Sequence, residues 1–316
     1  MVADEVVSRL RAAVARMAAD LGARAPALEQ PVWTWIERRA SRDAPEEYFA
    51  RDWGFPIFAL PLWAAASIGE ADDEFLADVT FSTLNGYWFV RLIDDLMDAD
   101  LPTPPQLLPA LAFFHSRFEA PYRRWFPASH PFWEQFDRAW MSGAAAAAAD
   151  ARPQVRDEKT FEAVAARKID AATIPVAAVC LRRDRSNSLP AWVKVCGLYG
   201  RAVQMADDMF DSLSDIGRDE DATFFLAEGH RRRMADEPLV AWAAREGLAW
   251  GTSACLAWLE EIARLAAELD CAALGADVAA RRSRLLFESE ARREVMLSLL
   301  PLARVMNQPR QQRNQR

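Results

Sequence analysis

Apolar residues recur at helical intervals along nearly the whole chain. Val6, Leu10, Val14, Met17 and Leu21 fall three or four positions apart, which places them on one helix face ending near Gly22. A polar and aromatic stretch through Trp33, Trp35 and Trp53 follows. Pro56 and Pro61 punctuate a short apolar helix that ends near Gly69. From Asp72 to about Asp98 one long helix is predicted, because Phe75, Val79, Leu84, Trp88, Leu92 and Leu96 share a face. Leu101-Pro102-Thr103-Pro104-Pro105 stops it, since proline donates no N–H and restricts the residue before it. Further helices are predicted over about 106–124, 131–149, 157–183, 188–216, 222–234, 238–270 and 275–300. The run Ala144–Ala149 is low in complexity but a strong helix former, so it reads as helix and not linker. No solenoid-length repeat and no Gly/Ser-rich linker divides the chain. The pattern predicts an all-α fold, a single-domain bundle of about ten to twelve helices over residues 1–306, with a frayed polar tail over 307–316.

Composition narrows this further. Of 316 residues, 52% are hydrophobic and 27% charged, enough for a sizeable core. Twelve glycines against twelve tryptophans disfavour a turn-rich β architecture and Gly-rich nucleotide loops. The net charge of −8 excludes a generally basic surface, so no nucleic-acid partner is expected, and Arg231-Arg232-Arg233 reads as a solvated helix end. The four cysteines contain no C-x-x-C pair and make no disulfide framework, which suits a reducing cytosol. The acidic start Met-Val-Ala-Asp-Glu-Val-Val does not read as a signal peptide. No uncharged apolar stretch reaches about 18 residues, so the expectation is a cytoplasmic protein without membrane insertion. His115, His130 and His230 are scattered and show no metal or triad spacing.

The chemistry concentrates in two carboxylate clusters. Ile93-Asp94-Asp95-Leu96-Met97-Asp98 closes the long helix; Asp94 and Asp98 lie one turn apart, with Asp95 beside them. Like charges at that spacing repel, and a helix C-terminus disfavours anions. In the second cluster Asp207, Asp211 and Asp215 fall at i, i+4 and i+8, an acidic stripe over two turns, while Val203, Met205 and Met209 keep other faces apolar. One such cluster is ordinarily a solvated helix end. Two of them, each late in a long apolar helix, point to bound cations. Mg²⁺ takes oxygen ligands, uses one or two carboxylates and keeps sites for substrate phosphates. Facing clusters would hold several Mg²⁺ ions that clamp a diphosphate and make it a leaving group. The EF-hand pattern is absent from both.

At these residues the chain resembles the class I isoprenoid synthases, terpene cyclases and trans-prenyl diphosphate synthases that share an all-α bundle around a central cavity. Asp94-Asp95-Leu96-Met97-Asp98 matches the first aspartate-rich motif. Asp207, Asp211 and Asp215 occupy the three ligand positions of the terpene cyclases' second motif, with Asp at all three. Gln204, and the continuation Ile216–Phe225, look like the elongating branch instead. The resemblance covers residues 55 to 230 or so and implies all six aspartates as metal ligands, with Asp95 or Asp98 acting through water. Between the clusters lies Ala166-Arg167-Lys168-Ile169-Asp170-Ala171-Ala172-Thr173-Ile174-Pro175. In bacterial terpene cyclases a helix breaks here. Arg167, Asp170 and Ala171 match the family's diphosphate sensor, acidic linker and effector, and Pro175 supplies a break. Lys168 is the alternative, matching the diphosphate lysine of elongating enzymes; by spacing alone the pair is also an ordinary surface Arg-Lys. Arg218, three residues past Asp215, is a third diphosphate-binding candidate.

The departures point to one substrate. No Gly-Lys-Arg precedes the first motif and no Arg-Arg pair follows it, so the usual isopentenyl site is missing. The Arg-Tyr pair that often ends bacterial cyclases is missing too, since the last tyrosine is Tyr199. The resemblance therefore implies a divergent Mg²⁺-dependent terpene synthase, with Mn²⁺ as a substitute and about three ions in the diphosphate complex. Its substrate would be a C10, C15 or C20 allylic prenyl diphosphate. The alternatives are a trans-prenyl diphosphate synthase, a condensing enzyme of the squalene and phytoene type, and a non-enzymatic prenyl diphosphate-binding protein. A homodimer is compatible with the family. Ionisation leaves an allylic cation that needs an apolar, aromatic cavity, where each ring face contributes about 0.5–2 kcal/mol. By position near the motif helices, Phe58, Phe81, Trp63, Tyr87, Phe89, Phe161 and Tyr199 are the aromatic candidates, with Gly86 and Val203 as neighbours on the same walls. In the elongating family a bulky residue near Phe89 shortens the pocket, which implies C10 or C15; Gly86 leaves room for C20.

Overall fold

The computed structural model describes residues 2–40, 48–49, 54–98, 104–150, 157–216 and 223–306, and among them every regular element is helical. α1 (Val2–Arg24) buries Leu10, Ala13, Met17 and Leu21, the face its spacing marks. The aromatic stretch that follows is a second helix, α2 (Pro26–Ala40), starting on a proline and burying Val32, Trp35, Ile36 and Ala40. α3 (Ala59–Ile68) ends at Gly69, whose φ of 72° places it in the left-handed region that glycine adopts at little cost. α4 (Asp73–Asp98) carries the first aspartate cluster in its last turns. α5 (Ala110–Trp125) and α6 (Phe132–Asp150) follow, the latter including the alanine run.

The single helix that periodicity predicts over 157–183 is two, interrupted in the segment where the resemblance implies a break. α7 (Glu158–Lys168) gives way at Ile169 to a 3₁₀ turn, Asp170–Ala172, and then to α8 (Thr173–Arg182). Pro175 is the cause, acting one turn upstream: it has no N–H for the Ala171 carbonyl, and it sits in the first turn of α8, where a missing N–H is tolerated. Thr173 closes the turn by donating its hydroxyl to the Asp170 carbonyl at 2.6 Å. α9 (Leu189–Asp215) carries the second cluster. α10 (Phe224–Arg232) precedes α11 (Leu239–Trp242), which runs through a π turn at Ala243–Gly247 into α12 (Leu248–Glu268). α13 (Ala272–Met306) is the last helix.

These helices form one all-α bundle in which α4 and α9 are the organising elements. α4 packs along α1 and α5, and α9 along α7 and α12. α4 buries Phe75 and Val79 in the larger core and Leu84, Trp88 and Leu92 in the smaller one it shares with α1, α2 and α5. All four cysteines are buried free thiols. No described helix is long and apolar enough to cross a membrane.

The approach of α7 to α9 depends on Gly200. A Cβ there would lie 2.6 Å from the Ala165 carbonyl oxygen and 2.7 Å from Ile169 Cγ1. Because the nearer atom is backbone, α7 would have to move off α9. Gly200→Ala is expected to cost about 1–3 kcal/mol, read as a lower urea midpoint. Gly275→Ala, with nothing within 4 Å in its helix, serves as the control and should be neutral or stabilising.

Candidate functional site

Three distant segments meet around a cavity of about 530 Å³. α4 contributes Thr83, Gly86, Tyr87, Val90 and Arg91; the α7–α8 break contributes Lys168, Ile169, Ala171, Ala172 and Pro175; α9 contributes Val203 and Asp207. Tyr48, Phe55, Ile57, Phe118 and Trp140 complete an apolar, aromatic wall. Of the residues singled out in the sequence, Gly86, Tyr87, Lys168, Ala171, Val203 and Asp207 thus line one space. Lys168, Ala171 and Pro175 are three and four residues apart, and they stay on one side of the chain through the break.

Charge collects at the α9 wall. The Asp207 carboxyl is accessible through the cavity but crowded on its other sides. That crowding, followed by the carboxylates of Asp211 and Asp215, pushes its pKa up to about 6, while Lys168 pulls the other way. Asp211 is exposed and Asp215 half-buried on the same helix face. Folded protein therefore holds the Asp207 proton more tightly than unfolded chain, whose ordinary value is 3.8. The ionised carboxylate opposes folding increasingly as pH rises from there, and fully above about 6. Asp207→Asn should raise the melting temperature of metal-free protein at about pH 7.5 and leave it unchanged below about pH 4. An equal effect at both pH values would refute a cost of ionising Asp207 in the folded protein.

The first cluster divides. Asp94 is half-buried and receives Arg91 Nη1 at 3.3 Å, and Arg91 lines the cavity. Asp95 turns the other way. It is fully buried against α2, where Oδ2 accepts from Trp35 Nε1 at 2.8 Å and Oδ1 from Arg39 Nη2, with Arg91 Nε at 3.3 Å. Two cations and an indole N–H already take up this carboxylate, which argues for a structural role in place of the metal role that the resemblance implies. The side chain of Asp98 and the whole of Arg218 lie outside the described residues.

At the break, Lys168 is on the cavity wall and Arg167 is exposed away from it. Asp170 is absent from that wall and anchors the 3₁₀ turn to α6 by accepting the Ser142 hydroxyl proton. Burial raises its carboxyl pKa, opposed by Ser142 and Arg167.

Several aromatic expectations are corrected. Phe89 follows Tyr87 by two residues, roughly 200° around the helix, and points to an outer groove, 5.1 Å from the Trp140 ring and 5.6 Å from His115. Phe58 packs on Phe49 at 4.7 Å and lines a different cavity, as does Trp63. Phe81 is buried with Arg16 stacked over its ring. Phe161 is fully buried, stacked 4.5 Å from Phe224. Tyr199 is fully buried and donates its hydroxyl to Asp277 Oδ2 at 2.7 Å. Gly86 makes room for Phe118, whose ring would lie 2.8 Å from an added Cβ. Sequence reasoning missed Arg91, although its position three residues before Asp94 puts it on the same face. It also missed Phe118 and Trp140, for which no local signal exists.

Among the described residues no three His, Cys, Asp or Glu side chains are gathered as a ready metal-holding group. The α9 stripe nonetheless fits a hard divalent cation, being oxygen donors whose mutual repulsion a cation would relieve, with Asp94 as the α4 donor beside the cavity. No family model matches the chain, and no curated protein matches it.

Proposed function

We propose that this chain is a class I terpene synthase that ionises, and cyclises, an allylic prenyl diphosphate of C10, C15 or C20 length. The observation that carries the reading is the convergence of Arg91, Lys168 and Asp207, from α4, the α7–α8 break and α9, on one aromatic-walled cavity. Asp207, Asp211, Asp215 and Asp94 would hold Mg²⁺, which when bound supplies positive charge against the leaving diphosphate. Arg91 and Lys168 bind phosphate oxygens and favour the charge that develops as the C–O bond breaks. Asp94 and Asp95 hold Arg91 in place for this, a positioning role for Asp95. Tyr87, Phe118 and Trp140 line the space where the resulting cation would lie and would keep water from it.

The test is incubation with geranyl, farnesyl and geranylgeranyl diphosphates and Mg²⁺, with and without isopentenyl diphosphate, followed by product analysis. Hydrocarbon or alcohol from one allylic substrate is the expected result. Elongated diphosphates alone would make the chain a prenyl diphosphate synthase, and a product joining two prenyl chains would make it a condensing enzyme. Tight binding without turnover would leave a binding protein.

A further inference from the structure

The central cavity has a charged end and an apolar end. On α9, Tyr199, Val203 and Asp207 fall four residues apart on one face. Asp207 stands at the charged end with Lys168, and Val203 lines the wall one turn back. Tyr199 is a further turn away, about 12 Å from Asp207 along the helix. On α4 the same order runs from Arg91 through Tyr87 to Thr83, whose hydroxyl is already donated to the Val79 carbonyl at 2.8 Å. A chain whose diphosphate meets Arg91, Lys168 and Asp207 therefore has its tail directed towards Thr83 and Tyr199.

The wall beside Tyr199 is the non-helical segment 54–57, where Phe55 meets the Tyr199 ring edge-on at 6.4 Å. This segment is anchored from behind. The buried Arg281 of α13 donates Nη2 to the Gly54 carbonyl at 3.0 Å and Nε to Asp277 Oδ2 at 2.7 Å, and Asp277 accepts the Tyr199 hydroxyl. Beyond the segment lies a second cavity, of about 730 Å³, bounded by α1 and α13. Phe49, Gly54, Phe55 and Ile57 line both spaces. Leu10, Phe58, Trp63 and Phe287 make the second cavity apolar, and its two arginines, Arg281 and Arg284, are paired with Asp277 and Glu288. Such a space suits a hydrocarbon tail and not a charged headgroup.

We propose that Phe55 and Ile57 set the chain length that the central cavity accepts, and that the second cavity is the space a longer prenyl tail enters once they are cut back. The inference rests on the reading of the central cavity as a prenyl diphosphate site. Arg281 is a positioning residue that holds the dividing segment in place.

The test is calorimetric titration of the full chain, with Mg²⁺, by the thiolodiphosphates of farnesol and geranylgeraniol, analogues that resist ionisation. Phe55→Ala with Ile57→Ala should raise the affinity for the C20 analogue relative to the C15 analogue by at least about tenfold. Phe55→Leu and Ile57→Ala, made singly, are milder truncations and should move the ratio the same way. Ala280 is an exposed helix position that lines the second cavity alone. Ala280→Trp added to the double variant should therefore cancel the gain for C20 and leave C15 binding as it was. A ratio unmoved by all three truncations would overturn the assignment of Phe55 and Ile57. A gain that survives Ala280→Trp would overturn the role of the second cavity. Failure of the unaltered chain to bind either analogue would instead refute the prenyl diphosphate site itself, and this inference with it.

Discussion

Lys168→Ala is expected to slow diphosphate release from the allylic substrate by about 10²–10³-fold, while Arg167→Ala stays near the unaltered rate. The two are neighbours in sequence but not in function: α7 ends at Lys168, and the turn that follows puts Lys168 on the cavity wall and leaves Arg167 outside it. A cation contributes to leaving-group departure only where it meets the developing charge, so the loss should fall on kcat more than on KM. Lys168 is also the cation that lowers the Asp207 pKa. Its removal should therefore shift the acid limb of the pH–rate profile upward, which a merely structural lysine would not do. Comparable losses from both alanine variants would mean that the break rearranges on binding. A loss confined to Arg167→Ala would restore the diphosphate-sensor reading.

The second large effect concerns stability. Asp95→Ala leaves Arg39, Arg91 and the Trp35 N–H facing an empty position in a site where the carboxylate is wholly buried. Breaking a buried pair by removing one partner costs about 3–5 kcal/mol, because the remaining charge stays desolvated. Urea denaturation in the presence of a chelator should show the whole loss without any metal. Asp94→Ala, at a half-exposed position, should change stability by no more than about 1 kcal/mol under the same conditions. If Asp95 were instead a metal ligand, its removal would leave chelated protein as stable as before or more so. Adjacent aspartates of one motif are thereby assigned different tasks, although both pair with Arg91.

Periodicity exposed most of the fold because its helices are amphipathic and buried on one side. α1, α4, α9 and α13 are readable for that reason. α2 is hard to read because the half-buried Trp33 beside polar Thr34 and Glu37 blurs its face, and because Trp35 is buried for a reason that lies elsewhere, in its bond to Asp95. At the cavity, Asp207 is legible from its i, i+4, i+8 spacing, whereas Lys168 and Ala171 enter only through the family resemblance, since by spacing alone they are ordinary helix-surface residues. Phe118 and Trp140 were not legible, because their place depends on how α5 and α6 dock onto α4. Phe89 shows the complementary error: closeness in sequence to Asp94 does not put a side chain on the same side of a helix. For Asp95 the spacing was right and the partner was unforeseeable, being supplied by a helix about 60 residues upstream.

The burial of every cysteine gives the protein an internal record of its own breathing. Cys180 lies on α8, Cys196 on α9, Cys255 on α12 and Cys271 just before α13, so each reports on a different wall of the larger core. Burial raises the pKa of all four thiols, so alkylation requires the surrounding helices to part first. The order in which the four acquire label under native conditions is then the order in which those walls open. A prenyl diphosphate held against α8 and α9 should delay Cys180 and Cys196 while leaving the clock at Cys271 running at its own pace.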